Sequence, residues 1–263
     1  MNTIKEFDTG DTDQNSNTVR KLVFKENGWR FEIVPAPELE SNGIPIIIES
    51  VLVPSETLDV GFWVGHNANS TNARYAGWGP LADLFTYQTT DLFPLGHEMG
   101  LSAILSVIAC SIVQPIQNLG PATHVGVVGE GLLSEMSNKY LENRVTLHQP
   151  TTSDSLDLLI DTTGEPTCWN NALPKLRGEG TLLLFVPPWS KPATFNFYPQ
   201  LHRNSLRVEA KRWHLPQPAL DTSLSAIMSP VISAIEQEGK WIRPLILESN
   251  SRENGVWYWI DWK

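Results

Sequence analysis

Two glycines between an apolar run and a helical pattern are the residues of this chain best placed to bind an anionic ligand. The run Val125–Val128 predicts a buried parallel strand, and the apolar spacing over Leu132–Tyr140 predicts a helix. Gly129 permits a tight turn between them. Gly131 lets backbone N–H groups approach a phosphate at the helix N-terminus, where the helix dipole is positive. Strand, glycine turn and helix in this order predict a dinucleotide-binding site. The alternative is an ordinary βα turn that binds nothing.

Three positions depart from the usual dinucleotide pattern. Ser134 stands where the third glycine of G-x-G-x-x-G is expected, although serine is small enough for close packing of helix and strand. Glu130 lies between the two glycines, where solvent exposure would make its charge tolerable beside a pyrophosphate and burial would not. The next predicted strand, 144–147, is followed by His148 and Gln149 instead of the carboxylate that NAD-specific folds place there for the ribose hydroxyls.

Composition and charge fit a protein with a packed core and exclude several partners. The chain has 263 residues, of which 41% are hydrophobic and 18% are charged. The formal net charge is −10, and Lys and Arg do not cluster, which argues against nucleic acid and against an anionic membrane surface. No apolar run reaches the roughly 20 residues of a membrane span, and the N-terminus lacks the pattern of a signal peptide. We expect a cytoplasmic protein that acts on a small-molecule substrate.

The order of predicted elements divides the chain. Residues 1–18 are polar and predict a disordered tail. Residues 19–95 predict a reduced, β-rich substrate domain, to which the short strands of 240–263 add. Residues 96–239 alternate helices and strands, which indicates a parallel sheet covered by helices. The predicted fold class is α/β, with a Rossmann-type parallel sheet as the nucleotide-binding domain.

Within the β-rich segment the pattern is less regular. Asn27–Gly28 predicts a hairpin turn, and 44–53 predicts a central strand. Residues 66–76 are rich in Asn, Ser and Thr and predict a loop. The Gly-Trp-Gly-Pro sequence over 77–80 predicts a turn, followed by a strand over 81–87.

Three stretches resemble the medium-chain dehydrogenases/reductases. Val125–Leu133 is similar to the cofactor turn of that family, Leu158–Pro166 to its next strand and turn, and Ala172–Leu184 to the helix and strand that follow. The resemblance implies a GroES-like fold for the N-terminal domain, a nicotinamide cofactor and pairing of two copies through edge strands. Ser55–Gly65 and Phe195–Pro199 also resemble the hydroxyethyl bacteriochlorophyllide dehydrogenases of bacteriochlorophyll synthesis, which implies kinship rather than the same substrate.

The zinc ligands of that family are missing. No cysteine precedes Cys110, so the first ligand of a catalytic zinc is absent, and Cys110 and Cys168 are too few for a four-cysteine site. Gly96–Glu98 spells the family's His–Glu tripeptide but follows the predicted strand over 81–87 instead of preceding it. His97 is therefore interpreted as part of the solvated start of a helix. We expect no zinc and no other metal.

The first hypothesis is a zinc-independent oxidoreductase that transfers hydride between NADP(H) or NAD(H) and a small, conjugated substrate of secondary metabolism. Zinc-free relatives need no Lewis acid because their substrates are already polarised. The candidate proton donors are Tyr75, Tyr87 and His66, each of which is also readily interpreted as a surface or packing residue. The predicted cofactor-binding residues lie in the glycine turn, at the ends of the next two strands and after the fourth: Gly129, Glu130, Gly131, Leu132, Leu133, His148, Thr162, Thr163, Gly164, Val186 and Pro187.

Two other hypotheses stay open. The chain is a degenerate dehydrogenase that no longer uses the cofactor and serves non-redox catalysis or a binding role; the missing zinc ligands, the missing ribose carboxylate and Ser134 favour this. Alternatively the chain is a structural partner in a homodimer, with the aromatic run Trp257–Trp262 buried in the interface or in the core.

Overall fold

The computed structural model describes residues 18–25, 28–38, 43–54, 60–88, 92–95, 100–149, 155–185, 196–210, 222–245, 253 and 256–262. An antiparallel sheet formed largely by the N-terminal part is followed by a parallel sheet with helices on its faces. The predicted α/β class, with a Rossmann-type sheet and a β-rich N-terminal part, is confirmed.

The antiparallel part is built by strands from both ends of the chain. β1 and β2 form a separate two-stranded sheet. In the seven-stranded sheet β14 lies between β3 and β13, so the last strands of the chain join the strands that begin at β3. Trp257 and Trp262 are 3% exposed, which places the aromatic run in the core of the molecule. The strands are β1 (Thr18–Lys25), β2 (Gly28–Pro35), β3 (Ile44–Pro54), β4 (Val60–Asn67), β5 (Ser70–Pro80), β6 (Leu84–Tyr87), β7 (Phe93–Leu95), β13 (Ile242–Pro244) and β14 (Trp257–Asp261).

The predicted loop over 66–76 and the predicted turn over 77–80 are wrong. β4 and β5 form a long hairpin that turns between Asn67 and Ser70. The glycines of β5 serve packing: a Cβ atom on Gly77 would lie 2.3 Å from the ring of Trp63, and one on Gly79 would lie 2.9 Å from the hydroxyl of Tyr87. Glycine therefore lies within the strand because large rings fill the space beside it.

The parallel sheet has the strand order β12-β11-β10-β8-β9. Its two faces carry different packing: Val125 and Val127 join the large core with α1, α2 and α4, whereas Val128 contacts the smaller cluster beneath α3. No helix in the described ranges has the length and apolarity needed to cross a membrane. The elements are α1 (Gly100–Val113), β8 (His124–Val128), α2 (Leu132–Leu141), β9 (Thr146–His148), β10 (Leu156–Asp161), α3 (Pro166–Ala172), β11 (Leu176–Leu184), β12 (Arg207–Ala210) and α4 (Thr222–Glu238).

The sheet ends at β9, one strand earlier than a six-stranded dinucleotide fold would. Only residues 149–155 separate β9 from β10, which is too short for a further strand and its crossover helix. His124, Gly126 and His148 lie on one face of the sheet, because side chains alternate along β8 and β9 and His148 is opposite Gly126.

Candidate functional site

The turn between β8 and α2 has the geometry of an anion site. Gly129 has φ +119° and Gly131 has φ +110°, which are backbone conformations that favour glycine. Gly131 is the N-cap of α2 and offers no side-chain acceptor to the first-turn N–H groups. Leu132 and Leu133 are buried in the main core and fix the start of the helix. The orphan N–H groups of this turn are suited to an anionic partner.

Exposure differs along the turn. Glu130 is exposed, Gly129 is partly exposed, and Gly131 is buried. The charge of Glu130 therefore stays in solvent. Because Gly131 is covered in this conformation, a diphosphate reaches its N–H only if the covering atoms move.

Ser134 stabilises the turn from the position of the missing third glycine. Its hydroxyl donates to the carbonyl of Gly129 across 2.9 Å and accepts from Asn138 Nδ2 at 3.4 Å. From the sequence, this serine is expected to weaken the motif. In the structure it closes the turn, because its hydroxyl reaches back five residues to the carbonyl of Gly129.

The turn after β10 packs directly on Gly129. A Cβ atom on Gly129 would lie 2.5 Å from Thr162 Oγ1 and 2.6 Å from Thr163 Cγ2. Both the amide and the hydroxyl of Thr162 donate to the carbonyl of Val128, at 3.0 Å and 2.9 Å. The two turns thus form one unit at the carboxyl edge of the sheet. The proton of the Thr162 hydroxyl is used in a hydrogen bond within this unit.

A buried carboxyl group holds the second turn in place. Asp161 Oδ1 accepts from the amide and hydroxyl of Thr163 at 3.1 Å and 2.6 Å, and Oδ2 accepts from the amide of Gly164 at 3.0 Å. Burial raises the pKa of Asp161 above its usual value, and the hydrogen bonds act in the opposite direction. Asp161 was not among the predicted site residues, although Asp followed by Thr-Thr-Gly is a pattern typical of an Asx turn.

His148 lies at the carboxyl end of β9 and is paired with a second histidine. His124 Nδ1 lies 2.7 Å from His148 Nε2, and the two rings are within 19° of coplanar. In the strand register, His148 is opposite Gly126, whose missing side chain leaves room for the rings. His124 was not singled out from the sequence, because it starts its strand 24 residues before its partner.

The two tyrosine candidates lie in the interior of the antiparallel part. Tyr87 is buried with its ring centroid 4.6 Å from that of Trp63, and burial raises the pKa of its hydroxyl well above the usual value. Tyr75 packs against the same cluster. Leu132, beside the glycine turn, packs in the other large cluster. The placement of the two tyrosines suits packing better than proton transfer.

His66 lies on the opposite face of the hairpin from Tyr75 and is part of a polar cluster. Its Nδ1 atom is 3.0 Å from Glu49 Oε1, to which Arg74 also donates at 3.2 Å. The three side chains belong to neighbouring strands and are 21%, 15% and 26% exposed, in the order His66, Glu49, Arg74. The three candidate proton donors are thus not brought together.

Val186, Pro187 and His97 lie outside the described residues. A cavity of about 260 Å³ is lined by residues that follow α1 and by residues of β10, β11 and β12, among them Pro115, Asp157, Thr181 and Leu183. No residue of 129–131 or 162–164 lines it.

Solved dehydrogenases share this fold. The structure matches glucose dehydrogenase from Haloferax mediterranei with a TM-score of 0.61 and 10% identity, over 92% of this chain and 99% of that one. It matches a short chain alcohol dehydrogenase from E. coli CFT073 complexed with NADH with a TM-score of 0.58 and 9% identity, over 94% and 100%. It also matches acetophenone reductase from Geotrichum candidum NBRC 4597 in complex with NAD, with a TM-score of 0.52 and 11% identity, over 84% and 88%.

No family model matches the sequence, and no curated protein matches it significantly. At identities of 9–11% the structural matches show the dehydrogenase fold alone.

Replacement of Gly129 by alanine is expected to destabilise the fold. The new Cβ would overlap Thr162 and Thr163 on a backbone with positive φ, so we expect a loss of about 2–4 kcal/mol in the free energy of unfolding, measured in urea. Gly120→Ala is the control, since a Cβ there meets nothing within 4 Å. Equal effects of the two substitutions would contradict the packing of the two turns.

Asp161 should stabilise the fold most at low pH. Because its pKa is raised above 3.8 by burial, the folded state binds its proton more tightly than the unfolded state. Its contribution is fully present below the unfolded pKa and is lost as the pH rises through the folded pKa. The unfolding free energy of the wild type minus that of Asp161→Asn should therefore fall from pH 4 to pH 7. A value that rises over this range would refute the assignment.

Proposed function

We propose that the chain is an oxidoreductase that uses a nicotinamide dinucleotide without a catalytic zinc. The observation that carries the proposal is the N-terminus of α2, which has no side-chain cap and follows two glycines with positive φ at the carboxyl edge of a parallel sheet. Ligands of open α/β sheets bind at this edge, beside the point where the strand order reverses. In this sheet β8 lies between β9 and β10, so the reversal is at Gly129.

The residues of the two turns have separate tasks in this proposal. The backbone at Gly129 and Gly131 and the first-turn amides of α2 hold the diphosphate, while Leu132 and Leu133 anchor the helix. Thr162–Gly164 form the opposite wall of the crevice, and Asp161 keeps that wall in position. The bound cofactor supplies or accepts the hydride.

Zinc independence is supported by the positions of the cysteines. Cys110 is buried within α1 and Cys168 is in α3, so neither belongs to the antiparallel part that supplies the catalytic ligands in the zinc-dependent relatives. A cytoplasmic location belongs to the same proposal, because a chain with only two cysteines has no disulfide framework. The substrate we propose is small and already conjugated, so that hydride transfer needs no Lewis acid. The closer likeness to the bacteriochlorophyllide dehydrogenases stays a prediction.

The alternative is a degenerate dehydrogenase that no longer binds the cofactor. Buried Gly131 favours it, because the atoms that cover this residue restrict access to the turn. In that case the crevice serves non-redox chemistry or a binding role.

Titration with NADH and NADPH separates these functions. The oxidoreductase should bind at least one of them saturably at about micromolar concentration, seen as energy transfer from tryptophan to the nicotinamide. Glu130→Lys should tighten binding about threefold or more, because an exposed negative charge beside the diphosphate becomes positive. Glu142→Lys, at the other end of the same helix, is the control and should have little effect.

Loss of binding in Gly131→Asp but not in Gly120→Asp would locate the diphosphate, provided that melting curves show both variants folded. No saturable binding of either dinucleotide to the wild-type protein would overturn the oxidoreductase proposal and leave the degenerate form.

We also propose that two copies pair through β12. All four of its residues are exposed, and it is the edge strand next to β11. Antiparallel pairing centred on Val208, which is 37% exposed, would place Arg207 of one copy opposite Glu209 of the other.

Sedimentation velocity tests this pairing. Val208→Lys would bring two lysines together at the symmetry axis, and the dimer should dissociate to monomers. Ile33→Lys, at a side chain that is 68% exposed on β2, should leave the dimer intact. A wild-type protein that sediments as a monomer, or a Val208→Lys variant that stays dimeric, would contradict the proposal.

A further inference from the structure

The His124–His148 pair, which joins β8 and β9, is a feature that the cofactor turn does not explain. The two histidines come from adjacent parallel strands, on the face opposite α2, and both are partly exposed. Their nitrogens are 2.7 Å apart while the ring centroids are 5.0 Å apart, so the rings meet edge to edge through a hydrogen bond.

We propose that this pair selects a 2′-phosphorylated dinucleotide, NADP(H), and takes up a proton as it binds. This inference rests on the proposed function, since it assigns the ribose end of the same site. His148 ends the strand beside β8, at the position where dinucleotide folds recognise the adenosine ribose. It is level with Gly126, about 10 Å along the strand from Gly129.

The chemistry follows from counting protons. A hydrogen bond between two imidazoles needs one nitrogen as donor and the other as acceptor, so the bridge holds one proton. In the neutral pair only one of the two outer nitrogens carries N–H. One added proton gives an imidazolium–imidazole pair that keeps the bridge, carries charge +1, and has N–H on both outer nitrogens. The dianion of a phosphate monoester, whose oxygens all accept hydrogen bonds, favours this protonated form.

The charged groups around the two histidines do not supply the positive charge that we assign to the pair. From β10, Asp157 Oδ2 accepts from the backbone amide of His124 at 2.7 Å, and its other oxygen is paired with Arg177 of β11. α3 carries no acidic or basic side chain in its first or last turn. Within the described residues the negative charge of Asp157, the carboxylate that faces the pair, is thus balanced by the guanidinium of Arg177. Asp154, the next carboxylate in sequence, lies outside the described residues, so an Asp154→Asn variant belongs in the test.

Calorimetric titration of the purified protein with NADPH and NADH tests the inference. At pH 7, in two buffers of different ionisation enthalpy, NADPH binding should take up more protons in the wild type than in His124→Phe. The NADPH affinity of the wild type should rise by up to about tenfold per pH unit on acidification from pH 8 to pH 6, more steeply than the NADH affinity. The 2′-phosphate of NADPH also titrates in this range. Subtracting the proton uptake of His124→Phe from that of the wild type removes its contribution.

A second variant repeats the test, and a third serves as its control. His148→Gln, which keeps an amide donor but cannot be protonated, should lose the extra proton uptake in the same way, so a failure of His124→Phe to fold leaves the test intact. His202→Phe, which lies before β12 at the opposite edge of the sheet from β9, should behave as wild type.

The outcomes distinguish the two proposals. Binding of both dinucleotides with the same pH dependence, or with proton uptake unchanged in both histidine variants, would overturn the inference and leave the oxidoreductase proposal standing. Uptake that disappears in Asp154→Asn but not in the histidine variants would also overturn it. Binding of neither dinucleotide would overturn both.

Discussion

The crevice depends on a contact that only glycine permits. Gly129 has no side chain, and the space that a Cβ would fill is taken by Thr162 and Thr163 from the turn after the neighbouring strand. The turn of β8 and the turn of β10 therefore close on each other at the carboxyl edge of the sheet. Ser134 fixes the first turn from the helix side, and Asp161 fixes the second from within. The direction of α2, and so the position of its free N–H groups, follows from this arrangement.

The same packing decides what each part of the molecule can contribute. The antiparallel part contains an aromatic cluster of its own, and Tyr75 and Tyr87 pack in it. Within the described residues the parallel sheet ends at β9, where His148 pairs with His124. The proposed 2′-phosphate site puts this pair of imidazoles where other dinucleotide folds have a ribose-binding carboxylate.

Sequence patterns predicted those features that arise from local periodicity. The apolar run at 125–128, the helical spacing behind it and the strand over 156–161 all lie where the structure has them. They failed where a distant side chain determines the conformation: the glycines of β5 are strand residues because Trp63 and Tyr87 pack on them. The pairing of His124 with His148 depends on strand register, which a single sequence does not carry. Asp161 had a local signal, the turn sequence that follows it.

Amide hydrogen exchange with and without NADPH tests the central claim most directly. If the diphosphate binds at the start of α2, saturating NADPH should slow exchange of the amides over 131–135 and 162–164, by about 100-fold at a ligand concentration 100 times the dissociation constant. The amides of Leu119 and Thr181, which line the cavity, should be much less affected. NADPH that binds while the amides over 131–135 exchange at their unliganded rates would contradict the account.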